Sequence, residues 1–163
     1  MAEIVRSLVA HFLDTTPSET SPTYSKFGSG VLSLNMSYNP NPVTEQYIDE
    51  NSGHTLVQNY APTLPVTQRA FPGDAIFDFI DGLRQTQSIG GDDLTTIVEV
   101  RLYETPETGG LIYPATQWDV AIQFESGPGG DGGANAEITY TINVKSDPVP
   151  GTFNTSTLAF TAD

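Results

Sequence analysis

Along most of its length the chain alternates apolar and polar residues with a period of two, which commits it to strands whose two faces meet different environments. Trp118, Val120, Ile122 and Phe124 alternate with Gln117, Asp119, Gln123 and Glu125. Ile138, Tyr140, Ile142 and Val144 alternate with Glu137, Thr139, Thr141, Asn143 and Lys145, and Val98, Val100 and Leu102 oppose Glu99 and Arg101. Leu32, Leu34, Met36 and Tyr38 are placed by the same spacing on one strand face. Near the N-terminus Ile4, Leu8 and Phe12 take one face while Val5, Val9 and Leu13 take the other, as in a strand covered on both sides.

One segment breaks this pattern. Ile76, Phe79, Ile80 and Leu83 follow helical spacing, with Asp78, Asp81 and Gln85 facing away, so a single helix is expected over about 74–85. Asp74 can cap its free amides and Arg84 suits its negative end. A lone three-turn helix is not stable in water, so its apolar stripe must lie on a sheet. From Asn39 to Pro65 the chain carries Pro40, Pro42, Pro62 and Pro65 and little core-forming pattern, which predicts a projecting arm or long hairpin. Thr105 to Gly110 and Gly127 to Gly133 read as turns between strands. The expected fold is mainly β: a sandwich or barrel of antiparallel strands with one flanking helix and a long arm, in a single domain over 1–163.

Charge narrows the function. Twenty Asp and Glu stand against six Lys and Arg, for a formal net charge of −14. A DNA-binding domain needs bases to displace counterions from phosphates, and an anionic membrane surface needs the same, so neither is an expected binding partner. With no cysteine, thiolate chemistry and disulfides are excluded. Glu3, Arg6 and His11 interrupt the apolar residues of the first segment, so neither a secretory leader nor a membrane span is expected there.

No enzyme constellation emerges. Gly127, Gly129 and Gly132 have dinucleotide-turn spacing, but an alternating strand follows where a helix would be needed. His11 and His54 stand alone, without a metal-helix or nucleophile-elbow context. Asp92 with Asp93, and Asp49 with Glu50, lack the Asp/Asn ladder of a calcium loop and read as solvated acids. Trp118 shares the register of Val120 and Ile122, so it reads as core rather than as a stacking platform. The acceptor triplets at Asn35 and Asn154 carry little meaning alone. No catalytic residue, cofactor or metal is assigned. Polar strand faces, an arm and an acid excess together suggest work done by assembly, since head-to-tail contacts close rings and an axial contact stacks them.

Several segments, in order along nearly the whole chain, resemble the major tail tube proteins of long-tailed, non-contractile bacteriophages of Gram-positive hosts. They are the opening AEIVRS, Met36 to Pro40, Glu45 to Glu50, Tyr60 to Pro62, Phe71 to Arg84, Gly129 to Gly133, Tyr140 to Asn143 and Asp147 to Thr152. The resemblance implies a structural virion protein that forms stacked hexameric rings, with neighbouring strands joined in one inner barrel and a long loop reaching the next ring. It implies as partners further copies of the chain, a length-measuring protein, a tail terminator and a distal tail or baseplate protein, with DNA passing through the lumen unbound. The implied location is the phage tail, with assembly in the host cytoplasm. Some relatives add an immunoglobulin-like domain; here the chain ends at Asp163 soon after its last expected strand, so no additional C-terminal domain is expected.

On this reading the loop role falls on Asn39, Pro40, Glu45, Tyr47, Asp49, Glu50, Tyr60 and Pro62. The polar faces make Glu99, Asp119, Glu125 and Glu137 the candidates for an acidic lumen. A second reading is a monomeric β-sandwich module binding carbohydrate or another surface ligand, whose sign would be a row of exposed aromatics on one sheet face. A hydrolase stands third, with no convergent His or carboxylate pair to name.

Overall fold

The computed structural model describes residues 1–163. Its strands are β1 (Val9–Asp14), β2 (Tyr24–Lys26), β3 (Val31–Leu34), β4 (Pro40–Glu45), β5 (His54–Tyr60) and β6 (Thr63–Arg69). After the helix α1 (Ala75–Thr86) come β7 (Leu94–Arg101), β8 (Ile112–Gly129), β9 (Glu137–Val144), β10 (Val149–Asn154) and β11 (Ala159–Ala162). Nine strands form one antiparallel sheet in the order β2-β1-β7-β8-β9-β6-β3, with β10 paired to both β8 and β11. The remaining two, β4 and β5, pair only with each other. The mainly β fold with one helix and a hairpin arm is therefore the observed one.

Strands β2 and β3 stand at opposite ends of the sheet order, yet only residues 27–30 join them. The sheet must therefore curl until its edges meet. Inside the curl lies the larger core, where Leu13, Ile97, Trp118, Val120, Ile122, Tyr140 and Ile142 meet Ile76, Phe77 and Ile80 of α1. A second core on the opposite face gathers Ala10, Phe12, Tyr24, Val98, Val100, Ala115 and Phe153. Adjacent residues such as Phe12 and Leu13, or Ile97 and Val98, thus enter different cores, which is why β1 is apolar on both faces.

A buried polar chain fixes the helix on the sheet. Tyr140 Oη donates to Gln68 Oε1 at 2.8 Å, Gln68 Nε2 donates to Asp74 Oδ2 at 3.1 Å, and that oxygen also accepts from the Phe77 backbone N–H at 2.9 Å. Asp74 is thus the N-cap, and its second partner ties the helix start to β6. Burial, and then the Asp74 charge, push the Tyr140 hydroxyl well above its ordinary pKa, so it stays a donor. The helix buries Phe77 as well as Ile76 and Ile80, a wider stripe than its spacing alone suggests.

Three sequence expectations need correcting. Strand β1 begins only at Val9, after a 3-10 turn at Arg6–Leu8, and Ile4 and Val5 are exposed. A register shift in β3 between Val31 and Ser33 breaks its alternation: Val31 and Leu34 pack inward and Leu32 faces out. The arm is shorter than 39–65, because Thr63, Leu64 and Pro65 pair with β9 in the main sheet. Pro65 is tolerated because β3 ends opposite Val66 and pairing on that side resumes only at the Ser37–Thr63 bridge, so Pro65 falls in the gap between them.

Glycine is required at Gly127, where φ is +99° and a Cβ would stand 2.2 Å from the Glu137 carbonyl oxygen. Tyr140→Phe should remove the only hydroxyl donor to the buried Gln68 oxygen and lower stability by about 1–3 kcal/mol, read from urea unfolding midpoints.

Candidate functional site

The curled sheet leaves half of one face without a cover. On that face β8 presents Asp119, Gln123 and Glu125, β9 presents Glu137, Thr139, Thr141 and Asn143, and β6 presents Thr63, Pro65, Thr67 and, opposite Glu137, Arg69. The registers place them side by side: Gln123 opposes Thr141, and Thr141 opposes Pro65. Thr141 Oγ1 donates to Glu125 Oε1 at 2.7 Å, and Asn143 Nδ2 donates to Gln123 Oε1 at 3.1 Å. Short side chains held by cross-strand bonds make a flat polar wall with no aromatic ring.

Three of the four acids expected on polar faces share this wall, and Glu99 does not. Its register partners are His11 and Thr116, next to Ile97 and Trp118, which places it on the face that holds the larger core. The period-two pattern is correct locally, since Val98 and Val100 do face away from Glu99. The sheet, however, is covered on both faces at β1 and β7 and on one face only at β9 and β6, so alternation in β7 cannot be carried over to the far end of β8 or to β9. Glu99 Oε2 stands 3.3 Å from His11 Nε2, a close approach in distance that lacks hydrogen-bond alignment, and His11 Nδ1 has no partner. The imidazole, with Arg101 and Arg6 adding to it, holds the Glu99 carboxyl below its ordinary 4.5 against the opposing effect of burial.

The arm is anchored at its base. Asn39, in the left-handed region at φ 45°, donates through Nδ2 to the Ala61 carbonyl at 3.0 Å and to Thr63 Oγ1 at 3.2 Å. Tyr38 and Tyr60 meet edge to face with centroids 6.4 Å apart. These rings, with Pro40, Pro62, Pro148 and the edge of Trp118, line an apolar recess of about 470 Å³. Trp118 itself is buried in the core.

At the tip, Glu50 accepts from the Tyr47 backbone N–H at 3.2 Å and lies 3.3 Å from His54 Nδ1, and the Tyr47 hydroxyl donates to Glu45. Asp49 has no cation within ion-pair distance, and Ile48 beside it is fully exposed. Asp92 and Asp93 lie in a loop closed by the Gly91 N–H to Asp93, and no group of three or more metal-ligating side chains converges anywhere in the chain.

Beyond these residues the structure brings Arg6, His11 and Lys26 to one pocket of about 350 Å³ between β1, β2 and β3. No sequence spacing links positions 6, 11 and 26. The only signal was the scarcity of bases, which makes any two at one place notable.

No protein-family model matches the chain, and no curated protein matches its sequence. Solved structures do match its fold. A chain in the tail of an empty GTA particle with C6 symmetry is 11% identical over 98% of this chain and 100% of that one, with a TM-score of 0.58. A chain of the sheath/tube terminator of PVC, an extracellular contractile injection system, in its extended state is 13% identical over 92% of this chain and 97% of that one, with a TM-score of 0.53. What is shared is the fold. It extends over nearly the whole chain in both cases, one neighbour being part of a particle's tail and the other of a contractile injection system's terminator.

Because its pKa is depressed in the fold, Glu99 contributes stability above pH 4.5 that is lost as pH falls through the folded value. Urea midpoints measured downward from pH 7 should therefore fall more steeply for the wild type than for Glu99→Gln.

Proposed function

We propose that this chain is a structural tail protein that assembles as hexameric rings stacked into a tube, through which genome DNA leaves a phage particle. The observation that carries the reading is the match of the complete fold to a tail chain of a C6-symmetric particle, end to end on both sides. The exposed polar wall and the unpartnered arm support it, since both are surfaces that a monomer gains nothing by keeping. The branch specific to non-contractile tails and Gram-positive hosts rests on the sequence resemblance.

In this assembly the wall of β6, β8 and β9 faces the channel, with Asp119, Glu125 and Glu137 as its acids and Arg69, opposite Glu137, as a single base among them. Glu99, directed to the core face beside His11, is left out of the lining. Six copies carry a formal 6 × −14 = −84. Screening over about 8 Å at physiological salt confines each acid to nearby phosphates. What the acids do there is deny DNA the contacts that release counterions and would arrest it. Short Thr, Asn and Gln side chains leave no ring on which a base could stack. The same absence of aromatic rings on the wall disfavours a carbohydrate module.

The arm, Pro40 to Tyr60, is the axial connector between rings, and the partners that cap the tube are other tail proteins. Electron microscopy of concentrated protein should show rings or tubes; a persistent monomer would refute the assembly. Replacing residues 41–59 with a short glycine turn should leave the melting temperature of the body unchanged and abolish tubes. Pro40 and Tyr60, which pair with each other and stay in place, make this graft geometrically simple. Tubes of Asp119→Lys/Glu125→Lys/Glu137→Lys should retain double-stranded DNA in about 150 mM salt, where wild-type tubes release it.

A further inference from the structure

The curled sheet closes without a ladder between its edges. β2 and β3 pair with β1 and β6 respectively and not with each other, and the pocket of about 350 Å³ lies in the seam between them. Its lining is mixed: Phe27, Val31 and Leu34 supply apolar surface, and Arg6, His11 and Lys26 line it with them. Neither base has a carboxylate within ion-pair distance, although the chain holds 20 acids. Arg6 instead donates to the Val9 and Leu34 carbonyls, which hold its guanidinium across the seam, and the Glu99 carboxylate acts on it only from beyond ion-pair distance. His11 lines the same pocket at 5% exposure with an unpartnered Nδ1, a buried donor or acceptor still lacking its mate. A recess half lined by apolar side chains, with two cations that lack an ion-pair partner and an unsatisfied buried nitrogen, suits a ligand that is apolar and anionic at once.

The chain carries one such group. An isolated two-stranded hairpin is at best marginally stable in water, and the arm makes no sheet with the rest of its own chain. Its tip nevertheless holds Ile48 wholly in solvent beside the unpaired Asp49, with Tyr47, Glu50 and His54 bonded to one another so that the turn is preformed. We infer that the arm tip of one copy docks in the seam of another, Ile48 meeting the apolar part of the lining and Asp49 pairing with Lys26 and Arg6. The inference rests on the assembly reading and adds the receiving site. Placing scarce cations at the seam makes this contact selective within a chain of strongly like-charged copies, which repel elsewhere.

The absence of cysteine allows a direct test on full-length chains. Ile48→Cys protein is mixed with Ser33→Cys protein, Ser33 lining the seam, and compared with a mixture in which the second cysteine is Asp131→Cys in the exposed glycine loop. The tip–seam disulfide should form about tenfold faster than the control pair, the order expected of electrostatically steered contact, and lose that advantage in high salt. Asp49→Lys in the arm chain should remove the advantage, and Lys26→Glu in the seam chain should restore it. Equal rates for the two pairs, or no rescue by the exchanged charges, would overturn the docking site. If wild-type chains form tubes while the pairs react equally, the docking fails and the assembly stands; if the tip–seam pair reacts preferentially in chains that never form rings or tubes, the docking stands and the tube fails.

Discussion

The placement of one short helix decides which surfaces this protein can offer. A 12-residue helix has no independent stability, so it must bury its stripe, and the chain Tyr140–Gln68–Asp74–Phe77 N–H determines where. With the cap residue bonded to β6 and β6 bonded to β9, the helix can lie only inside the curl. The larger core then forms on that face alone, and the opposite face of β6, β8 and β9 is left with Thr, Asn, Gln, Pro65, acids and one base, Arg69. Gln68 and Tyr140 are both almost wholly buried, so the chain is held in a low dielectric where an unmade bond is costly. The polar wall is thus a consequence of how the helix is tied down.

Much of the body was legible because its strands obey a single local rule. In β8 and β9 the apolar set from Trp118 to Phe124 and from Ile138 to Ile142 faces one core, as alternation requires. The helix was legible from its spacing and its cap. What alternation cannot encode is which side of a sheet is covered at a given point along it. Glu99 and Asp119 look alike in sequence, each between apolar neighbours, yet the two cores lie on opposite faces and send them opposite ways. The β3 bulge has the same character, since one extra residue inverts every later position, and nothing in Val31 to Leu34 announces it. Pro65 misled for another reason: proline excludes a ladder only where a partner strand exists to be hydrogen-bonded. Arg6, His11 and Lys26 were invisible because the seam that gathers them is a product of closure, and closure is a property of nine strands at once.

Charge plays two separate roles here. Across the wall, acids are spread among neutral polar side chains, with one base, Arg69, opposite Glu137. At the seam, a few bases are concentrated, held by backbone carbonyls and left without carboxylates of their own. A chain with six bases in all gains little stability from ion pairs at its surface, where each is worth about 1 kcal/mol or less. Two that remain unpaired at one pocket matter more for recognition than for folding.

The hairpin of β4 and β5 has a consequence for what concentration can change. The nine-stranded sheet folds around cores built from its own chain, so its formation is unimolecular and indifferent to concentration. The hairpin, though formed, has no core of its own, and Ile48, Leu56 and Val57 stay exposed. Anything that covers them must come from outside the chain, so the stability of the body is set by the sequence alone while that of the hairpin is open to mass action.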